Sequence, residues 1–111
     1  MDWTQQHCQA LDSNTPPMSD AEVTGHLEGL AGWKLTDGAL EKTYSFKNYY
    51  QTTAFVNAAV WIAHQEDHHP DITFGYKTCL IRYSTHSVGG LSANDFICAA
   101  KTDALFAASD A

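Results

Sequence analysis

Three features of the sequence predict an α+β single domain in which a four-stranded antiparallel sheet carries helices on one face. Ser19-Asp20-Ala21-Glu22 and Ser92-Ala93-Asn94-Asp95 are both S-x-x-[DE] motifs of the kind that start helices. Four short segments rich in aromatic and β-branched residues fall into two pairs, one on each side of an alanine-rich stretch. The order that results, α-β-β-α-β-β-α, lacks the strand and helix alternation of a parallel sheet.

Taken in order, Met1 to Pro17 is polar, lacks periodicity and ends in Asn14-Thr15-Pro16-Pro17. Residues 1–18 are therefore expected as a loosely attached, flexible arm, and residues 19–111 as the folded domain. At Ser19 the hydroxyl and the Glu22 carboxylate can satisfy free amide donors of a first helical turn, and Val23, Leu27 and Leu30 follow at helical spacing. Trp33-Lys34-Leu35 and Leu40 to Phe46 flank Asp37-Gly38, a pair that tolerates the positive φ angles of a tight hairpin. Asn48 opens a longer helix to about Asp67, with Phe55, Ala59 and Ile62 on one stripe. Asp71 to Tyr76 and Lys77 to Thr85 read as the third and fourth strands. In the fourth, alternation puts Cys79, Ile81, Tyr83 and Thr85 on a core-like face, and Thr78, Leu80, Arg82, Ser84 and His86 on a mixed one. After Gly89-Gly90, Ser92 starts a third helix reaching about Ala108.

A length of 111 residues suits one domain with a modest core, and 44% hydrophobic residues exceed what a disordered chain carries. Six basic residues against 13 acidic ones leave a formal charge of −7, which repels phosphate backbones and anionic lipid, so neither nucleic acid nor membrane is an expected partner. The longest apolar run, around Val56 to Ala63, is too short for a bilayer, and the N-terminus has no basic or apolar signal region, so a cytoplasmic location is expected. Cys8, Cys79 and Cys98, odd in number and without a C-x-x-C, read as reduced thiols.

The segment from His64 to His86 holds four of the six histidines. His64 and His68 are four apart at the end of the long helix and share a face if the helix persists, while Pro70 turns His69 outward and forces the chain to leave. Singly, each histidine reads most simply as a solvated residue at a helix end. Together, and with His86 at the end of a neighbouring strand, they point to chemistry. The zincin pattern H-E-x-x-H fails because Gln65 stands where its glutamate belongs, which leaves a generic three-histidine metal site as one alternative. The other is metal-free acid and base catalysis: with an unperturbed pKa of about 6.5, two imidazoles across a pocket can supply one proton and remove another at neutral pH. There is no G-x-S-x-G elbow and no phosphate-cradling glycine loop.

The spacing His64, three residues, His68-His69-Pro70, five residues, Tyr76, nine residues, His86, eight residues, Asp95 resembles the pterin-4a-carbinolamine dehydratase family. The resemblance runs from about Ser19 to Phe106 and includes Gly32-Trp33 and Gly90-Leu91-Ser92; the arm with His7-Cys8 resembles the bacterial branch. It implies a hydro-lyase that dehydrates 4a-hydroxytetrahydropterin to quinonoid dihydropterin, without metal or redox cofactor, in the recycling of the pterin used by aromatic amino-acid hydroxylases. It further implies that His68 and His86 are the acid and base pair, that His69 binds and orients the pterin, and that His64, Pro70, Trp33 and Asp95 line or support its pocket. Many members have a glutamate where this chain has His64. A homodimer or homotetramer is implied as well, and a non-catalytic protein-binding module, a dimerisation or assembly cofactor, is the alternative function. Helix capping alone also explains Asp95, and core packing alone also explains Trp33.

Overall fold

The computed structural model describes residues 2–109, and within them the elements follow the predicted order. They are α1 (Asp20–Leu27), β1 (Lys34–Thr36), β2 (Ala39–Ser45), α2 (Tyr49–Glu66), β3 (Asp71–Phe74), β4 (Thr78–Tyr83) and α3 (Ala93–Ser109), with short 3-10 turns at Trp3–Gln5 and His86–Val88.

Local chemistry sets most of the boundaries. Ser19 and Glu22 form the expected reciprocal capping box at the start of α1. Thr36 pairs with Ala39, so Asp37 and Gly38 form a two-residue turn, and both take positive φ (50° and 79°) as the twist of a hairpin requires. The Asn48 side chain accepts the Gln51 amide at 2.9 Å and caps α2. The other end of α2 falls where expected, at a left-handed Asp67 (φ 50°) that terminates the helix, so it does not persist to His68. His64 and His68 therefore do not share a helical face.

The sheet has the order β1-β2-β4-β3 with every neighbour antiparallel. Leu40 pairs with Tyr83 and Tyr44 with Cys79, so these side chains share one face. There they join Phe55 and Ala59 of α2 and Phe96, Ile97 and Cys98 of α3 in the core. The opposite face is polar, with Glu41 of β2 facing Lys34 of β1 and Arg82 of β4 at 3.6 Å each. Asp103 of α3 accepts from Trp33 Nε1 (3.0 Å), Lys42 Nζ (2.8 Å) and Tyr44 Oη (2.5 Å), fastening α3 to β2. Burial, reinforced by the Asp103 carboxylate, drives the Tyr44 phenol far above its ordinary pKa and keeps it a donor.

The N-terminal segment, expected as a loose arm, is packed against the domain. Trp3 is buried, stacked on Phe96 and edge-on to His26. Beyond it, the Cys8 amide donates to Glu66 Oε1 at 2.7 Å and the Gln9 amide to Asn94 Oδ1 at 3.0 Å. The Met18 amide donates to the Leu91 carbonyl at 2.8 Å. One large apolar ring and a set of directional bonds hold the segment, and neither leaves a periodic trace in the sequence.

Candidate active site

Asp95 is the centre of the constellation. It stands in the first turn of α3, fully buried, where Oδ2 accepts the Ser92 amide at 3.0 Å and the Thr85 hydroxyl at 2.8 Å. The hydroxyls run in a chain: the Asn94 amide donates to Ser92 Oγ, Ser92 Oγ donates to Thr85 Oγ1, and Thr85 Oγ1 donates to Asp95. The carboxylate is thereby fixed in rotation, and Oδ1 points at His68 Nε2, 2.6 Å away. Asp95 thus caps the helix and holds an imidazole at once, through different oxygens.

Opposite an ionised carboxylate, which can only accept, the His68 ring donates from Nε2. The His68 ring lies flat on Tyr83, with centroids 6.0 Å apart and planes 9° apart. Tyr83 is itself buried and bonded to Thr102 at 3.0 Å, so the ring beneath His68 is fixed in turn. His68 Nδ1 has no hydrogen-bond partner among the described residues, yet no buried side-chain nitrogen or oxygen there lacks one, so Nδ1 reaches solvent. The arrangement orients an imidazole and leaves one of its nitrogens open for proton transfer.

The other expected site residues fall in four places. His69 is exposed and Pro70 half-buried, directly after His68 on the path into β3. His86 is exposed and begins the 3-10 turn next to Thr85; that turn is closed by the Thr85 amide donating to the Gly90 carbonyl at 2.8 Å and by Gly89 at φ 71°. Trp33 is buried with its indole N–H committed to Asp103, and its ring meets, at 6.1 Å, the same Tyr83 that His68 stacks on. His64 is exposed on α2 with its ring against Trp61 at 5.5 Å. No cluster of three or more His, Cys, Asp and Glu side chains suited to a metal forms among the described residues.

Sequence reasoning missed Thr85, Ser92 and Tyr83 as parts of the site. The available signal was a run of hydroxyls on a core-like face, Tyr83 and Thr85, because buried hydroxyls need partners. It also missed Glu66, whose side chain is only 5% exposed and accepts from the Cys8 amide, from His7 Nδ1 at 2.9 Å and from Lys101 Nζ at 3.0 Å. Burial opposes its charge, but these three donors win and hold its carboxyl down at about 2. No helix among the described residues is long and apolar enough to cross a membrane.

Comparison with known proteins assigns the family. Residues 16–105 match the family described as pterin 4 alpha carbinolamine dehydratase. A protein of Nitrosospira multiformis, provisionally named a pterin-4-alpha-carbinolamine dehydratase, is 53% identical over 105 residues, covering 95% of this chain and 93% of that protein. One of Nitrosomonas europaea with the same provisional name is 52% identical, covering 95% of this chain and 94% of that protein. Among solved structures, a transcriptional coactivator/pterin dehydratase from Brucella melitensis superposes with a TM-score of 0.77 at 27% identity, over 80% of this chain and 97% of that one. A pterin dehydratase-like protein identified as a RuBisCO assembly factor in the alpha-carboxysome superposes with a TM-score of 0.55 at 28% identity, over 66% of this chain and 84% of that one. The matched residues span His64, His68-His69-Pro70, His86 and Asp95, and with half of nearly the whole chain shared with such relatives, this protein belongs to the pterin 4 alpha carbinolamine dehydratase family.

Proposed function

We propose that the protein dehydrates a 4a-hydroxytetrahydropterin to the quinonoid dihydropterin by histidine acid and base catalysis, and so returns the pterin to an aromatic amino-acid hydroxylase. The observation that carries this reading is the His68 imidazole held through Nε2 by Asp95 with Nδ1 open to solvent. In the reaction the C4a–O bond breaks and the departing oxygen takes up a proton to leave as water. The N5–H proton goes to a base, and its electron pair forms the C4a=N5 bond. Two proton transfers about one bond apart need two groups, and His68 with His86 on the adjacent turn supplies them, each worth ~10²–10⁴-fold. His69 and Pro70 bind and orient the flat heterocycle beside them, and Trp33 supports the site through its contact with Tyr83. No proton transfer is assigned to His64.

The reading extends to a cytoplasmic homodimer or homotetramer. Its test is stopped-flow ultraviolet absorbance with freshly generated 4a-carbinolamine, where the protein is expected to accelerate the spontaneous loss of water. A folded protein that gives no acceleration would refute the reading and favour the protein-binding alternative.

A further inference from the structure

His68 follows the end of α2 and Asp95 stands in the first turn of α3, 27 positions on, so their 2.6 Å contact depends on how the end of α2 meets the start of α3. We propose that residues 7–9 form a brace between these two ends, with Glu66 and Asn94 as the positioning residues that hold the His68–Asp95 pair in register. The inference rests on the reading of that pair as the reacting site.

Each anchor stands beside a member of the pair. Glu66 is the last residue of α2, and only the left-handed Asp67 separates it from His68. Asn94 directly precedes Asp95. On the α2 side, Glu66 Oε1 accepts the Cys8 amide (2.7 Å), while Oε2 accepts from His7 Nδ1 (2.9 Å) and from Lys101 Nζ of α3 (3.0 Å). On the α3 side, the Asn94 side-chain amide accepts the Gln9 amide (3.0 Å) and donates to the Gln9 carbonyl (2.8 Å), so both of its polar ends are used. Between them the Cys8 thiol meets Cys98 Sγ at 3.5 Å and the Asn94 carbonyl at 3.6 Å.

A buried carboxylate and a buried amide contribute less to stability than apolar side chains of the same size would, because they must be desolvated. What they add is direction: five bonds of fixed geometry tie Glu66, the 7–9 segment, Asn94 and α3 together. A shift of the α2 end relative to α3 has to stretch those bonds as well as the His68–Asp95 contact. A small misplacement of a proton-transfer group is expensive in rate even where the fold tolerates it.

The test uses the full chain with Glu66→Ala, Asn94→Ala and Glu66→Gln, read by two independent measurements. One is kcat and KM for dehydration across pH; the other is the NMR signal of the hydrogen-bonded His68 Nε2–H in histidine-labelled protein. Both alanine variants are expected to lower kcat about ten-fold with KM little changed, and to shift or broaden the Nε2–H signal. Glu66→Gln keeps an acceptor for the Cys8 amide and is expected to recover most of the rate, to within about three-fold of wild type, with a smaller shift. A fall in melting temperature with wild-type kcat and an unmoved Nε2–H signal would make the cluster merely structural and overturn the proposal. Should the alanine variants not fold, Asn94→Ser, which loses the paired bonds to Gln9 at a smaller change of volume, takes their place, and a wild-type kcat with an unmoved Nε2–H signal in that variant overturns the proposal equally. If the wild type shows no dehydratase activity, the functional reading fails while the NMR signal still decides for or against the brace.

Discussion

At the scale of single residues, the division of labour between the two oxygens of Asp95 lets one side chain both cap α3 and hold the His68 imidazole. Oδ2 faces the helix start and Oδ1 faces His68. His68 and His86 then separate in an informative way. Each replaced by alanine is expected to cut turnover by on the order of 10²-fold or more in the carbinolamine assay. Their stabilities should differ, because His68→Ala leaves a buried carboxylate oxygen unpartnered at a cost of about 1–3 kcal/mol, whereas the exposed His86 costs about 0.5 kcal/mol or less. Denaturant titration reads that difference, and equal turnover to wild type in both variants would remove the assignment. The thiols make a second case. Burial lifts the Cys79 thiol to about 11, and the Cys8 contact together with burial raises Cys98 further still. With a thiol reagent at pH about 8, Cys8 is expected to react first and the other two only on unfolding. Rapid modification of all three in the native protein would contradict this packing.

At the scale of elements, what was legible followed from short-range chemistry. Ser19, Asn48 and Ser92 each cap a helix, and Asp37-Gly38 closes a hairpin, because these effects act within a few residues and so leave a local signature. The N-terminal segment was illegible because its partners are remote: Cys8 reaches Glu66 and Asn94, 58 and 86 positions away. The end of α2 near Asp67 was legible, but whether His68 shares its face was not, since a left-handed Asp67 is not required by any local motif. Deleting residues 2–9 is now expected to remove the buried Trp3 and the bonds to Glu66 and Asn94. The loss should be about 2–4 kcal/mol, with Tm lower by on the order of 10 °C. Calorimetry of the truncated chain checks this, and an unchanged Tm would restore the loose arm.

At the scale of the whole molecule, the candidate site was legible as a list of residues and not as a shape. The spacing of His68, His86 and Asp95 carried the family resemblance, but Thr85 and Tyr83 enter only through the alternation of β4 and the chain's turn beyond it, and Glu66 only through a packed N-terminus. That packing gives the molecule an acid sensitivity of a definite sign. Glu66 has an ordinary carboxylate value of about 4.3 in the unfolded chain and about 2 in the folded one, where the Cys8 amide, His7 and Lys101 outweigh its burial. Between those values the unfolded state binds more protons, so stability falls as pH falls; the contribution is complete above about pH 5 and is gone below about pH 2. Protonation also ends the ion pairing of Glu66 with Lys101 and weakens its bonds to His7 and the Cys8 amide, so the hold on the segment bearing Trp3 is expected to loosen in that window. Denaturant midpoints measured from pH 7 to pH 2, with tryptophan fluorescence as the probe, should show a steeper acid decline in wild type than in Glu66→Gln, which starts less stable and has no such proton to take up. Parallel curves for the two proteins would mean that the Glu66 cluster does not couple folding to pH.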